Sequence, residues 1–344
     1  MRIIETKNEI KKFVGANVPT DAPKVSIITP AYNVAEYIAE TLDSVFAQTF
    51  TDFEIIVVND GSPDTADFER ILKSYADKIV YLKQPNAGAG RARNTAIEHA
   101  RGELLAFLDG DDVWHEDFLA SQIEFLETGD FDLVYADALL FGGSPLDGQK
   151  FSQNAPSKGA ANFESLLDLR CNVITSGVLC RKRNVLKAGK FEPEKVRAHD
   201  FVLWLKMARG GARIGYQKRV LLNYRVRLDS LSGDSVQRVK REIDVFERVR
   251  KQIELDETHE KIVEKQLERL NAEIEIERGK SFLLRKDFAA ARKSFEKANR
   301  YRRSGRLQTI IVLLKIAPRF FLKFYESRRR AEIAFVPKNS RSVD

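Results

Sequence analysis

The residues best able to do chemistry lie at positions 107–114, in the run FLDGDDVW. Three carboxylates, Asp109, Asp111 and Asp112, follow an apolar segment and surround one glycine. Carboxylates this close repel one another unless a cation or a donor compensates. Magnesium or manganese bridging to a phosphorylated substrate is the compensation that suits hard oxygen ligands. An isolated D-x-D tripeptide is more often a solvated turn, in which Gly110 would let the backbone bend tightly. Other polar runs reverse that weighting. TPAYN occupies 29–33, NDGS 59–62 and NAGAGRARN 86–94, while His199-Asp200 opens an apolar-periodic stretch through Phe201, Leu203, Trp204, Leu205 and Met207.

The elements that must carry these groups are legible in the pattern. Residues 25–30, 53–58, 79–82 and 104–108 are short apolar, β-rich runs. A helical periodicity follows the first of them, through Tyr37, Ile38, Leu42, Val45 and Phe46. Alternating strands and helices predict an α/β fold with a mostly parallel sheet. Nearly continuous apolar strands predict helices on both faces. In such sheets ligands bind beyond the carboxyl ends of the strands, and every polar run above sits at such an end.

Taken together, TPAYN, VVNDGS, NAGAGRARN and LDGDD, in this order, resemble the family-2 glycosyltransferases of GT-A fold. The resemblance continues through NVITSGVLCRKR at 172–183, AGKF at 188–191, His199-Asp200 with Trp204, and Asn223-Tyr224-Arg225, and it spans residues 23–232. It implies a Rossmann-like GT-A domain that transfers a sugar from a nucleotide sugar, UDP-linked, to a hydroxyl of a glycan or lipid-linked acceptor. By that resemblance Pro30 and Tyr32 line the nucleobase pocket, and Asp60 accepts a hydrogen bond from uracil. Asn86, Gly88 and Arg93 lie by the nucleotide, with the Arg93 fork suited to phosphate oxygens. Asp109 sits by the ribose. Asp111 ligates Mn2+ or Mg2+, and Asp109 and Asp112 support it. Asp200 is the base of an inverting single displacement, although Asp is also a favoured helix N-cap. His199 departs from the acidic residue usual before this base. The family often has a His after Tyr-Arg, where this chain reads Tyr224-Arg225-Val226-Arg227, and a basic residue there would face either the pyrophosphate or solvent.

Composition sets the outer bounds. The 344 residues suffice for two domains at about 150 residues each. Two cysteines, Cys171 and Cys180, read as free thiols, and no Cys/His cluster has zinc spacing. The charged opening MRIIETKNEIKKF is expected to be neither a signal peptide nor a span, which points to the cytoplasm. Residues 231–344 hold 28 Lys and Arg against 18 Asp and Glu, so the net charge of +7 comes from the C-terminal part. A basic tail implies an anionic partner: membrane headgroups, nucleic acid or an acidic polysaccharide.

Val236, Val239, Ile243, Phe246, Val249 and Ile253 draw one helical stripe, and a second helix is expected over 260–278. Gly279, Phe282, Phe288, Ala291, Phe295 and Ala298 resemble a single tetratricopeptide-like hairpin, for which a helical cap is the plainer account. Residues 307–325 are apolar but broken by Lys315, Pro318, Arg319 and Lys323, so they suit an anionic membrane surface rather than a span. Arg328, Arg329 and Arg330 extend that charge. Either residues 307–330 meet the inner face of an anionic membrane, or Ile310 to Leu314 pack into the helical domain and the arginines are solvated; no nucleic acid is expected. The expected layout is a leader at 1–22, the transferase domain at 23–232, a helical extension at 233–303 and a basic amphipathic tail at 304–344. Two rival readings remain. One is a degenerate transferase acting as an interaction module through its helices. The other is a sugar-phosphate nucleotidyltransferase, which should carry a glycine-rich basic loop after its first strand, where TPAYN stands instead.

Overall fold

The computed structural model describes residues 3–7, 9–193, 198–227 and 235–334, with backbone alone for 3–7, 235 and 328–334. The chain divides into two compact units, Met1–Leu228 and Asp229–Asp344. The strands of the first unit are β1 (Ile3–Lys7), β2 (Ile10–Val14), β3 (Val25–Ala31), β4 (Phe53–Asp60), β5 (Val80–Gln84), β6 (Leu104–Phe107), β7 (Val113–Trp114), β8 (Leu133–Phe141), β9 (Val178–Arg181) and β10 (Ile214–Arg225). Its helices are α1 (Ile38–Phe46), α2 (Thr65–Leu72), α3 (Ala89–His99), α4 (Phe118–Thr128), α5 (Phe151–Asn154), α6 (Phe163–Leu167), α7 (Lys182–Lys187) and α8 (His199–Arg209).

Among the described residues the strands form one sheet of ten, ordered β1-β2-β5-β4-β3-β6-β9-β8-β10-β7. The block β5-β4-β3-β6 is parallel, as the apolar runs require, and β8 also pairs parallel with β10. Strand β9 runs antiparallel between β6 and β8. All seven residues of β3 are buried. Alternate side chains split between two faces. Ile27, Val57 and Ala106 join a core with Ile38 and Leu42 of α1, Phe68 of α2 and Leu119 of α4. On the other face Phe107 meets Phe191 and Trp204 edge-on, at ring distances of 5.4 and 5.8 Å. Both layers are needed, because a sheet this apolar cannot leave either face to water.

The structure extends the sequence reading in two places. Residues 3–14, set apart as part of a leader, form the β1–β2 hairpin, and β2 pairs antiparallel with β5. Their charged side chains are of the kind that guards a sheet edge, which disguised them as a solvated segment. Strands β8 to β10 had no clear alternation to announce them.

The second unit contains α9 (Ser235–Gln252), α10 (Glu257–Leu284), α11 (Phe288–Arg302), α12 (Gly305–Ile316) and α13 (Pro318–Ala334). The predicted helices over 236–253 and 260–278 are present, the latter longer at both ends. Gly279 lets α11 approach α10, since a Cβ there would stand 2.9 Å from the Phe295 ring. Leu283, Ala291, Phe295, Leu307, Leu314, Phe321 and Leu322 share one core, which crosses the expected division at residue 303. Pro318 ends the α12 pattern as anticipated and opens α13 at its first position, where a missing N–H costs nothing. The expected boundary at Ser232 and the side chains of Arg328, Arg329 and Arg330 lie outside the described residues.

Candidate active site

The carboxyl ends of β3, β4 and β6 open into a cavity of about 420 Å³. Pro30, Tyr32, Asp60, Asn86, Gly88, Arg93, Asp109 and Asp111 line it, together with Gly110 and Arg227. Eight residues expected at a nucleotide site from four separate motifs therefore meet in one place.

Local chemistry positions each wall. After β3 the chain turns at Asn33, whose φ of 54° is left-handed, a conformation Asn tolerates. The Asn33 N–H donates to Ser62 Oγ at 2.7 Å, and the Ala35 N–H to Asp64 Oδ2 at 2.7 Å. These bonds tie the TPAYN loop to the turn after β4 and leave Tyr32 51% exposed at the cavity rim. Gly61 is needed for close approach, since a Cβ there would lie 2.5 Å from the Asn86 nitrogen. Asp60 already has protein donors. Its Oδ1 accepts from Gln84 Nε2 at 2.7 Å and the Ala87 N–H at 2.8 Å, and its Oδ2 accepts from the Gly88 N–H at 2.7 Å. It therefore clamps the loop that precedes α3. Gly88 has φ 91° and ψ 156°, a region open to glycine alone, and it caps α3. The helix N-terminus beside it favours anions.

The acidic run divides its labour. Arg93 is buried and forms an ion pair with Asp109 through Nη2. Asp112 is fully buried: it accepts from Ser176 Oγ, and from the Arg225 N–H at 2.8 Å. Burial and the charges of Asp111 and Asp109 push its pKa well above the usual carboxylate range. It supports the turn and does not line the cavity. Asp111 does line it. Burial and Asp109 push this carboxyl up to about 6, against the opposing charges of Arg227 and Arg225. Gly110 supplies room rather than a strained turn. Its φ is not positive, and a Cβ there would stand 3.1 Å from Val34 and 3.3 Å from the Pro30 oxygen.

Asp200 sits at the second position of α8. The N-cap is Ala198, with φ 52°, so Asp200 is not the cap that its residue type allowed. Oδ2 accepts from Thr175 Oγ1 at 2.6 Å, and Oδ1 from the Phe201 N–H at 2.9 Å. Burial alone would raise its pKa, but His199, the Thr175 hydroxyl, Arg93 and the Phe201 amide outweigh it and hold the carboxyl low. His199 is buried against Phe191, with Nε2 3.4 Å from Arg93 Nη1. Burial and Arg93 lower its pKa, against the opposing charges of Asp200, Asp109 and Glu192. It links the Asp200 side of the site to the Arg93–Asp109 pair. A Cβ on Gly90 would come within 3.2 Å of this ring, so the small residue lets α3 reach it.

Sequence reasoning missed one connection. The short 3-10 turn Thr175–Gly177 lies inside the run NVITSGVLCRKR, yet its first two side chains hold both halves of the site. Thr175 binds Asp200, while Ser176 Oγ accepts from the Asp109 N–H at 3.1 Å and donates to Asp112. The turn is itself fixed, as Trp114 Nε1 donates to the Ser176 oxygen and Gln122 Nε2 to the Gly177 oxygen, each at 2.7 Å. Its signal was a Thr-Ser-Gly triplet just before a strand. Arg225 and Arg227 are also resolved. Arg225 is held over the Tyr37 and Phe141 rings, at 4.5 and 4.2 Å, and donates to the Asp111 carbonyl at 2.8 Å. Arg227 lines the cavity, 3.9 Å from Asp111.

Among the described residues no group of three or more His, Cys, Asp or Glu is arranged to hold a metal ion. Asp109 is engaged by Arg93, and Asp112 is enclosed. Asp111 is left as the carboxylate that faces the cavity with its charge under-compensated. One carboxylate with open space beside it fits Mg2+ or Mn2+ of the kind completed by substrate phosphates.

Residues 26–185 match the family model described as glycosyl transferase family 2. Among curated proteins, TuaG of Bacillus subtilis, a glycosyltransferase named for teichuronic acid biosynthesis, is 33% identical over 233 residues, 66% of this chain and 88% of that protein. The UDP-Glc:alpha-D-GlcNAc-diphosphoundecaprenol beta-1,3-glucosyltransferase WfgD of Escherichia coli is 30% identical over 227 residues, 64% of this chain and 85% of that protein. Some relatives are much longer: in a Rickettsia felis glycosyltransferase, 33% identical over 210 residues, the match spans only 34% of the protein. Among solved structures, Staphylococcus aureus TarS 1–349 in complex with UDP aligns with a TM-score of 0.55 at 19% identity, over 90% of this chain and 92% of that one. The mannosyltransferase PcManGT of Pyrobaculum calidifontis, in complex with GDP-Man and Mn2+, aligns with a TM-score of 0.59 at 19% identity, over 90% and 86%. These two likenesses are of fold.

Proposed function

Because the chain belongs to glycosyl transferase family 2, we propose that it moves a sugar from a nucleoside-diphosphate sugar to a hydroxyl of a glycan or lipid-linked acceptor, with inversion. The observation that carries this reading is the convergence of Tyr32, Asp60, Arg93, Asp109 and Asp111 on one cavity at the carboxyl ends of the parallel strands. Asp200, on α8, is tied to that site through Thr175, His199 and Arg93. The donor is UDP-linked in this reading, in line with the UDP held by TarS and the UDP-Glc in the name of WfgD. The product class is a cell-envelope polysaccharide or its lipid-linked precursor.

The roles follow from chemistry. The base stacks on the Tyr32 ring beside Pro30, in reach of Asp60 and Asn86. Asp109 receives the ribose. The diphosphate faces Arg93, Arg227 and the N-terminus of α3, which offset its charge. Asp200, held ionised, accepts the proton of the acceptor hydroxyl. That oxygen forms its bond to the anomeric carbon as the bond to the nucleoside diphosphate breaks on the opposite face. One displacement inverts the centre, and no covalent enzyme intermediate arises. Asp111 is the residue that would hold Mn2+ or Mg2+, which when bound supplies Lewis-acid compensation for the departing diphosphate. The protein works in the cytoplasm, where nucleotide sugars enter, and attaches peripherally to the inner face of a membrane.

The test is incubation of the purified protein with a panel of nucleotide sugars and acceptors, with and without manganese. Release of one nucleoside diphosphate together with an inverted glycoside is expected. Formation of a nucleotide sugar and pyrophosphate from a nucleoside triphosphate and a sugar 1-phosphate, offered in a parallel incubation, would make the protein a nucleotidyltransferase. Binding without turnover on any donor would make it an interaction module.

A further inference from the structure

We propose that the α12–α13 elbow is the part that enters the membrane, with Val312, Ile316 and Phe320 as an apolar wedge and Lys315, Arg319 and Lys323 as its contacts to lipid phosphate. The proposal deepens, and rests on, the peripheral-attachment part of the function above. It is independent of the transfer chemistry.

Folding of the second unit explains why these side chains are left over. The helical core takes Leu307 and Leu314 from α12, and Phe321 and Leu322 from α13. The helix then ends at Ile316 and restarts at Pro318, with Ala317 between them out of helical conformation. Large apolar residues that the core does not use recur every fourth position across this break. Val312 is 42% exposed, Ile316 75% and Phe320 67%. Single exposed apolar residues need no explanation, but a row of three at regular spacing does. Beside them stand Lys315, Arg319 and Lys323, all exposed. The exposed surface thus alternates bulky apolar side chains with cations.

The choice of occupant comes from charge. Residues 305–325 contain four Lys and Arg and no Asp or Glu. An apolar row meant for a second copy of the chain would bring these cations against their own kind. An acidic lipid surface instead satisfies both sets of side chains at the same depth. Long basic side chains lie along the interface while their heads stay with the phosphates. Helices of this kind rest in the interface plane with the apolar face just inside the headgroups. Among the described residues no helix is long and apolar enough to cross a membrane, so attachment of this kind would be reversible.

The experiment is co-sedimentation of the full chain with vesicles of phosphatidylcholine alone and with added phosphatidylglycerol, at low and high salt. Binding to the acidic vesicles is expected, and it should weaken as salt shortens the Debye length. Changing Lys315, Arg319 and Lys323 together to Gln should lower the partition coefficient by roughly fivefold per residue, since each contributes about 1 kcal/mol and 1.36 kcal/mol is tenfold. Ile316→Ser with Phe320→Ser should lower it at least tenfold at both salt concentrations. Both positions are exposed, so circular dichroism and thermal unfolding should match the parent. Equal binding by parent and Ser variant, or no binding to acidic vesicles at low salt, would overturn the wedge. So would light scattering that shows a dimer lost in the Ser variant, which assigns the row to a second copy. Turnover on a soluble acceptor should be unchanged in both variants, so failure of the membrane reading and failure of the transferase reading can be told apart.

Discussion

Replacing Asp111 with Asn should make the metal-free protein more stable while disabling the proposed nucleotide site. The perturbation removes a carboxylate whose pKa is pushed from 3.8 up to about 6 by burial and by Asp109. A shift of one unit corresponds to about 1.36 kcal/mol. The ionised side chain therefore costs the folded protein on the order of 1–3 kcal/mol at pH 7, allowing for screening by water and for coupling to its neighbours. The sign follows from linkage. The folded state holds this proton more tightly than the unfolded chain, so stability falls as pH rises from about 4 through about 6. The Asn variant lacks that loss. For a domain of this size each kcal/mol is worth about 2–4 °C, so the variant should melt roughly 3–10 °C higher at pH 7.5. The gap should narrow toward pH 4 and close below it, as Asp111 becomes protonated in the unfolded chain as well as in the folded one. The assay is scanning calorimetry of both proteins in EDTA at the two pH values. A second arm titrates UDP with and without Mn2+, and the Mn2+-dependent part of the affinity should vanish in the variant, since a ligating carboxylate must be ionised. A variant that melts at or below the parent at pH 7.5 would refute the claim that burial and Asp109 outweigh Arg227 and Arg225 at Asp111. Unchanged Mn2+-dependent binding of UDP would remove it from the metal site.

Two further predictions concern the remaining acids. Asp200→Asn should cut transfer by about 10²–10⁴ yet leave calorimetric binding of the nucleoside diphosphate unchanged, because only the proton acceptor is lost; an equal loss of binding would make Asp200 a structural ligand of Thr175 instead. Asp60→Asn sets an amide N–H2 against one of three donors that now converge on the carboxylate, from Gln84, Ala87 and Gly88. It should cost about 1–3 kcal/mol by denaturant titration and weaken UDP binding with it, and an unchanged midpoint would show that the loop before α3 holds its shape without that clamp.

Much of the first unit was legible because its strands are buried on both faces. Burial of that kind demands uninterrupted apolar runs, and β3, β4, β5 and β6 stand within two residues of where the pattern puts them. The polar residues at their ends were legible for the complementary reason: chain that leaves a sheet between two helices is where glycine and charge are tolerated. Strands β8 to β10 were not, since β10 has Lys218 and Arg219 exposed in mid-course and carries no clean period. The hairpin of residues 3–14 hid for the opposite reason, because its charged residues looked like solvated chain.

Residue type and order by themselves determined that Asp60, Arg93, Asp109 and Asp111 would meet. All four sit at the ends or starts of elements whose directions a parallel sheet dictates. Which of the cavity's acids keeps its charge least compensated was decided only by tertiary structure. Asp109, Asp111 and Asp112 are near neighbours in sequence, yet Arg93 from α3 takes the first, Ser176 and the backbone of Arg225 enclose the third, and the second is left open. Those partners lie between 16 and 113 positions away in the chain. Local propensity carries no information over such separations, and charge is compensated wherever packing delivers a donor. The same holds for Thr175, Asp200 and His199: the Thr175 hydroxyl reaches Asp200 across 25 positions, and Arg93 meets His199 across 106.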